Sequence, residues 1–190
     1  MKKKTVFMLG ATAILGAAML DVVNVPAVNE PTVVYAATTT TTTQKTALRQ
    51  AKSYYKNMHM SKQGIFDQLT SDFDQYSEED AQYAVDHLKA NYKKAALKQA
   101  KSYYKNMHMS KQGIYEQLSS EMGEKFTPEE AQYAIDNSNF DYNKAALKQA
   151  KSYQKNMAMS PDAIYDQLIS ENGEKFTEQE AQYAIDNLNK

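Results

Sequence analysis

The sequence predicts an all-α protein built from three tandem three-helix repeats of about 50 residues each. Residues 95–137 recur at 145–187 with 33 of 43 positions identical, and a version about one residue shorter runs from 46 to 87. Self-similarity at a fixed period of this size sets the architecture. Within each copy the apolar residues recur at helical spacing, and no stretch alternates polar and apolar positions long enough for a strand. Cap signals fall at matching positions in the copies.

The second copy shows each helix most clearly. In Ala95–Met107, steps of 100° place Ala96, Leu97, Ala100, Tyr103, Tyr104 and Met107 on one arc, with Lys98, Lys101 and Lys105 together beside it. That is an amphipathic helix with a basic flank, and it recurs over Ala47–Met58 and Ala146–Met157. Ser110 is an N-cap for a second, short helix that turns Ile114, Tyr115 and Leu118 inward; the third copy strengthens this start with Ser160-Pro161-Asp162. Gly123, and Gly173 in the third copy, are placed to close that helix in the left-handed conformation. Thr127-Pro128-Glu129-Glu130 is a capping box for a third helix with Ala131, Ala134 and Ile135 inward, and Phe126 packs back across its first turn. The junctions, Asn91–Lys94 and Asn139–Lys144, hold aromatics and neither Gly nor Pro, so they read as packed joints that make the array a semi-rigid string.

The start of the chain has the pattern of an export signal. Lys2, Lys3 and Lys4 precede an apolar run from Val6 to Leu20, and Val34-Tyr35-Ala36 suits cleavage between Ala36 and Ala37. The run is about fifteen residues, shorter than the roughly twenty of a spanning helix. Residues 1–36 are therefore expected to be a secretory signal peptide and 37–45 a flexible Thr-rich spacer. The repeats are divided as 46–94, 95–144 and 145–190. The expected location is secreted, on the cell surface or wall, with no stable membrane insertion once the signal is cleaved; a retained signal would be an anchor instead.

The sequence has no Cys, so each small unit must fold by packing alone or lean on its neighbours. From Ala37 onward there are 19 Lys+Arg and 21 Asp+Glu, a net charge of −2 that gives no drive toward nucleic acid. The histidines are His59, His87 and His108, and no metalloprotease, nucleophile-elbow or phosphate-loop motif accompanies them. No enzyme activity and no cofactor is expected. Met-His-Met at His59 and His108 has soft ligands suited to copper, but the third copy reads Met157-Ala158-Met159, so the methionines are read as packing between the first two helices. Asp72-Phe73-Asp74 begins an acidic run that departs from the calcium-loop pattern at its sixth and twelfth positions. The candidate partner contacts are the basic flanks, Lys98, Lys101 and Lys105 with Lys148, Lys151 and Lys155, whose alternative is a solvated helix face, and Tyr104 at the edge of the arc, which becomes Gln154 in the third copy and whose alternative is packing at the core edge. A cell-wall polymer is one partner these flanks suit.

The repeat resembles that of the host cell-surface-exposed lipoprotein (Ltp) family of Gram-positive bacteria and their prophages. Ala100, Lys101, Tyr103, Met107, Ser110, Ile114, Gln117, Leu118, Gly123, Phe126, Thr127, Glu130, Ala131, Tyr133 and Ala134 carry the resemblance. All three copies match, although the first lacks the Gly-Glu pair. The family's lipid-bearing Cys has no counterpart in this sequence, and its Trp after the third helix is Tyr92 and Tyr142 here. The resemblance implies helix-turn-helix-like domains displayed outside the membrane. It also implies superinfection exclusion, in which phage DNA injection is blocked through the phage tape-measure protein. A structural or adhesive wall component is the alternative function.

Overall fold

In a computed structural model, residues 40–190 are described. The expected signal peptide, its cleavage between Ala36 and Ala37, and the start of the spacer lie outside them. The described residues hold nine α-helices and no strand, three helices to a repeat. Repeat 1 contains α1 (Thr42–Ser53), α2 (Lys62–Thr70) and α3 (Glu78–His87). Repeat 2 contains α4 (Tyr92–Ser102), α5 (Lys111–Ser119) and α6 (Pro128–Asp136). Repeat 3 contains α7 (Tyr142–Met157), α8 (Pro161–Ile169) and α9 (Glu178–Asp186). π-helical turns extend α1 through Tyr54–Met58 and α4 through Tyr103–Met107, whereas α7 stays α-helical to its end.

The caps are those the sequence signals. The Ser110 side chain accepts from the Gly113 amide, and Thr127 and Glu130 form a reciprocal capping box, as Thr177 and Glu180 do in repeat 3. The Thr-rich stretch is a correction. Thr41 and Gln44 form a third such box, so helix rather than flexible spacer occupies residues 42–45.

In repeat 2, Ala96 and Ala100 of α4 and Ala131 and Ala134 of α6 are fully buried. Their small side chains let the first and third helices approach closely, while Ile114, Leu118 and Phe126 fill the space beneath. Burying each such large side chain is worth about 1.5–3 kcal/mol. Repeats 1 and 3 have equivalent cores. The methionines divide their roles, contrary to expectation. Met60, Met109 and Met159 pack against the cores, but Met107 is 55% exposed and Met58 and Met157 are exposed with it.

Gly123 does not take the left-handed conformation expected of it. No glycine has a positive φ among the described residues; Gln75, Lys125 and Lys175 take φ 55°, 56° and 58° instead. Gly123 answers a different need: a Cβ there would sit 2.1 Å from the Gln117 carbonyl oxygen. The chain folds back too tightly onto the end of α5 to admit a side chain.

Candidate functional site

Charge is segregated between helices. From its N-terminus to the Met before the turn, the first helix of each repeat carries four, five and four Lys+Arg and no acid (Thr42–Met58, Tyr92–Met107, Tyr142–Met157). The third helices, α3, α6 and α9, carry acids in their first turns and no Lys or Arg. Lys98, Lys101, Lys105, Lys148, Lys151 and Lys155 all lie exposed on α4 and α7. The six lysines therefore give the first helices of the second and third repeats an exposed basic flank.

Tyr104 does not belong to that exposed set. It is half-buried in the joint between repeats 2 and 3, stacked on Phe140 at 4.3 Å between ring centroids and edge-on to Tyr142 at 6.1 Å. Its hydroxyl donates to the Asp141 carbonyl at 3.1 Å, and the Asp141 carboxylate in turn caps α7 by accepting from the Lys144 amide. The first joint uses Tyr55 in the same way. The ring meets Tyr92 edge-on at 5.9 Å, and its hydroxyl accepts from the amide of Asn91, the N-cap of α4, at 3.0 Å. Burial in this joint pushes the Tyr92 hydroxyl up to about 12. Each joint thus ties the end of one repeat's first helix to the start of the next.

A second strut runs between the second helix of one repeat and the following repeat's loop. The Ser61 hydroxyl donates to the Glu124 carbonyl at 2.5 Å, and Lys125 pairs with Asp67 at 2.5 Å. Lys175 pairs with Glu116 at the next joint. Lys125 and Lys175 hold left-handed backbones that cost a side-chain-bearing residue about 1–2 kcal/mol, and their ammonium groups reach back across the joint from there. Inside each repeat the loop is locked as well. Tyr54 donates to Asp74 at 2.6 Å, and Tyr103 and Tyr153 donate to Glu124 and Glu174. Asp74, part of the run resembling a calcium loop, thus serves as the partner of a tyrosine.

Both ends of the array lack these joint residues. Gln154, in the place of Tyr104, reaches Asn189 instead of another repeat. Thr43 stands where Tyr92 and Tyr142 begin the later repeats, and Gln75 stands for Lys125 and Lys175. Ser61 and Ser110 are buried, but Ser160 is exposed, and its neighbour Ala163 replaces the glycines at 64 and 113. The aromatics of the junctions signal the joints in the sequence; the ion pairs across them, 58 and 59 residues apart, have no such signal.

These ion pairs make the joints sensitive to acid. Burial raises the Asp67 carboxyl, but hydrogen bonds from Lys125 and Gln63 outweigh it and hold the group below its ordinary value. Lys175, and after it Gln112, hold Glu116 low. A carboxyl whose folded value is depressed contributes stability above its unfolded value and loses that contribution as pH falls through the folded one. Urea unfolding of the wild type and of an Asp67→Asn/Glu116→Gln variant is therefore expected to show a difference at pH 7 that shrinks below pH about 4. Equal differences at pH 7 and pH 3 would contradict this role for the ion pairs.

No helix among the described residues is long and apolar enough to cross a membrane, and no group of three or more His, Cys, Asp or Glu there could hold a metal ion. No curated protein matches the chain. One solved structure is similar to it: Ltp, a superinfection exclusion protein from the Streptococcus thermophilus temperate phage TP-J34. It is 47% identical, and the match covers 50% of this chain and 94% of that one with a TM-score of 0.46. The family model described as host cell surface-exposed lipoprotein matches three times, at residues 42–88, 91–137 and 141–188. These bounds coincide with the three helical units and meet at the two joints, and the chain belongs to the host cell surface-exposed lipoprotein family.

Proposed function

We propose that this chain is a non-catalytic, exported cell-surface binding protein that blocks phage DNA injection, with the phage tape-measure protein as its partner. One observation carries the reading: three repeats of the host cell surface-exposed lipoprotein family make up almost the whole described chain. The exclusion role is the one that family resemblance implies. The joints support it physically, since a segment threading past the surface would meet three repeats presented in one fixed order. In a phage-sensitive Gram-positive host expressing the full chain, adsorption should be unchanged and entry of phage DNA should fall by at least tenfold. Unchanged DNA entry at confirmed surface display would remove the exclusion role. The segregation of basic residues to the first helices favours a second reading, association with an anionic wall polymer.

A further inference from the structure

The first joint contains a feature that its role in holding repeats together does not use. A pocket of about 160 Å³ opens between the end of α1 and the first turns of α4, lined by Tyr55, Lys56, His59, Lys94, Ala95 and Lys98. Four of the six lining residues are basic or can become so, and none is acidic. No ion pair joins Lys56, Lys94 or Lys98 to a carboxylate among the described residues. Three lysines lining one concavity concentrate positive charge there, which a bound anion offsets. The positive end of the α4 dipole adds to the field, because Lys94 and Ala95 lie in its first turn. We propose that this pocket binds a phosphate group carried on a polyol-phosphate polymer.

The size of the pocket suits a single phosphate group. Exposed Arg49 and Lys52 on α1 and Lys101 on α4 offer further cations for neighbouring phosphates of the same chain. The second joint is a natural comparison, with Tyr104, Lys105, His108, Lys144, Ala145 and Lys148 at the matching positions. Two of its differences touch the lining residues directly. Phe140 stacks on Tyr104, where the first joint has only Ala90, and Lys144 is drawn to the Asp141 carboxylate at 3.1 Å, where the first joint has uncharged Asn91. One joint therefore leaves its cations available, and the other engages one of them internally.

The test is a titration of the ¹⁵N-labelled full chain with glycerol phosphate and with a short polyglycerol phosphate, read by NMR. Saturable amide shifts are expected at Lys56, His59, Lys94 and Lys98, with no saturable change at Lys105, Lys144 and Lys148. Lys98→Gln should weaken binding about tenfold while leaving the spectrum folded. Ala90→Phe with Asn91→Asp, which gives the first joint the aromatic and the carboxylate of the second, should weaken it similarly. Shifts spread equally over both joints, or binding indifferent to Lys98→Gln, would overturn the proposal. Sedimentation with phosphatidylglycerol vesicles separates the other source of phosphate: tighter binding to vesicles than to the polymer would also overturn it. The result is independent of phage DNA entry, so the exclusion role and this site can fail separately.

Discussion

Gly123→Ala is expected to destabilise the protein by about 2–3 kcal/mol, the usual cost of forcing atoms into a filled space. The new Cβ would lie 2.1 Å from the Gln117 carbonyl oxygen and 2.8 Å from the Ser120 hydroxyl. The nearer obstacle is backbone, which cannot swing aside as a flexible side chain can. The Gln117 carbonyl already accepts the Glu124 amide at 2.9 Å, so relieving the overlap breaks the bond that shapes the loop. That loop carries Glu124 and Lys125, and through them the strut to repeat 1. For an array of this size the loss corresponds to a fall in melting temperature of roughly 5–10 °C. Gly64→Ala is the comparison. Its Cβ would come no closer than 3.1 Å, to the hydroxyl of its own cap Ser61, and its effect should stay within about 1 kcal/mol. Repeat 3 already tolerates Ala163 at that place, with the cap bond from its amide at 3.3 Å against 2.9 Å at Gly64. Equal melting temperatures for the Gly123 and Gly64 variants would contradict the account of the loop.

The second large effect belongs to Tyr104→Gln. It gives the internal joint the residue that the chain itself uses at its C-terminal end, Gln154. The ring's stack on Phe140, its edge contact with Tyr142 and its hydrogen bond to Asp141 are lost together. The expected loss of coupling between repeats 2 and 3 is about 2 kcal/mol, from the aromatic contacts and the apolar area they cover. Because the substitution leaves the repeat cores intact, each repeat should remain helical. Denaturant unfolding followed by far-ultraviolet circular dichroism should broaden, as repeat 3 begins to unfold ahead of the rest. An unchanged, equally steep transition would show that Tyr104 does not couple the repeats.

The fold was largely legible because its signals are local. Capping boxes act over three residues and amphipathic faces over four, and Thr127-Pro128-Glu129-Glu130 or the arc of Ala96 and Ala100 states its role within one turn or two. What the sequence leaves hidden rests on interactions that are not local. A helical projection places Tyr104 at the edge of the apolar arc but contains only its own helix, whereas Phe140 and Asp141, which cover the ring, arrive from the junction more than thirty residues on. Gly123 invites the usual explanation of a left-handed glycine, yet the left-handed residue is Lys125 and the glycine is required by a close approach. The threonines before Lys45 look like a low-complexity tract until Gln44 is recognised as the partner of Thr41. The basic flanks, by contrast, were legible because an exposed helix face depends only on its own periodicity.

Aromatic joints hold the family repeats together as one array, and native-state hydrogen exchange of α7, comparing the wild type with Tyr104→Gln, puts this to the test. If the joint stabilises repeat 3, the amides of the buried Ala146 and Ala150 should exchange about 30-fold faster in the variant, the equivalent of about 2 kcal/mol. Ala47 and Ala51 in repeat 1, beyond the intact first joint, should keep more of their protection. Unchanged protection of Ala146 and Ala150 would mean that the repeats are independent units on a common chain.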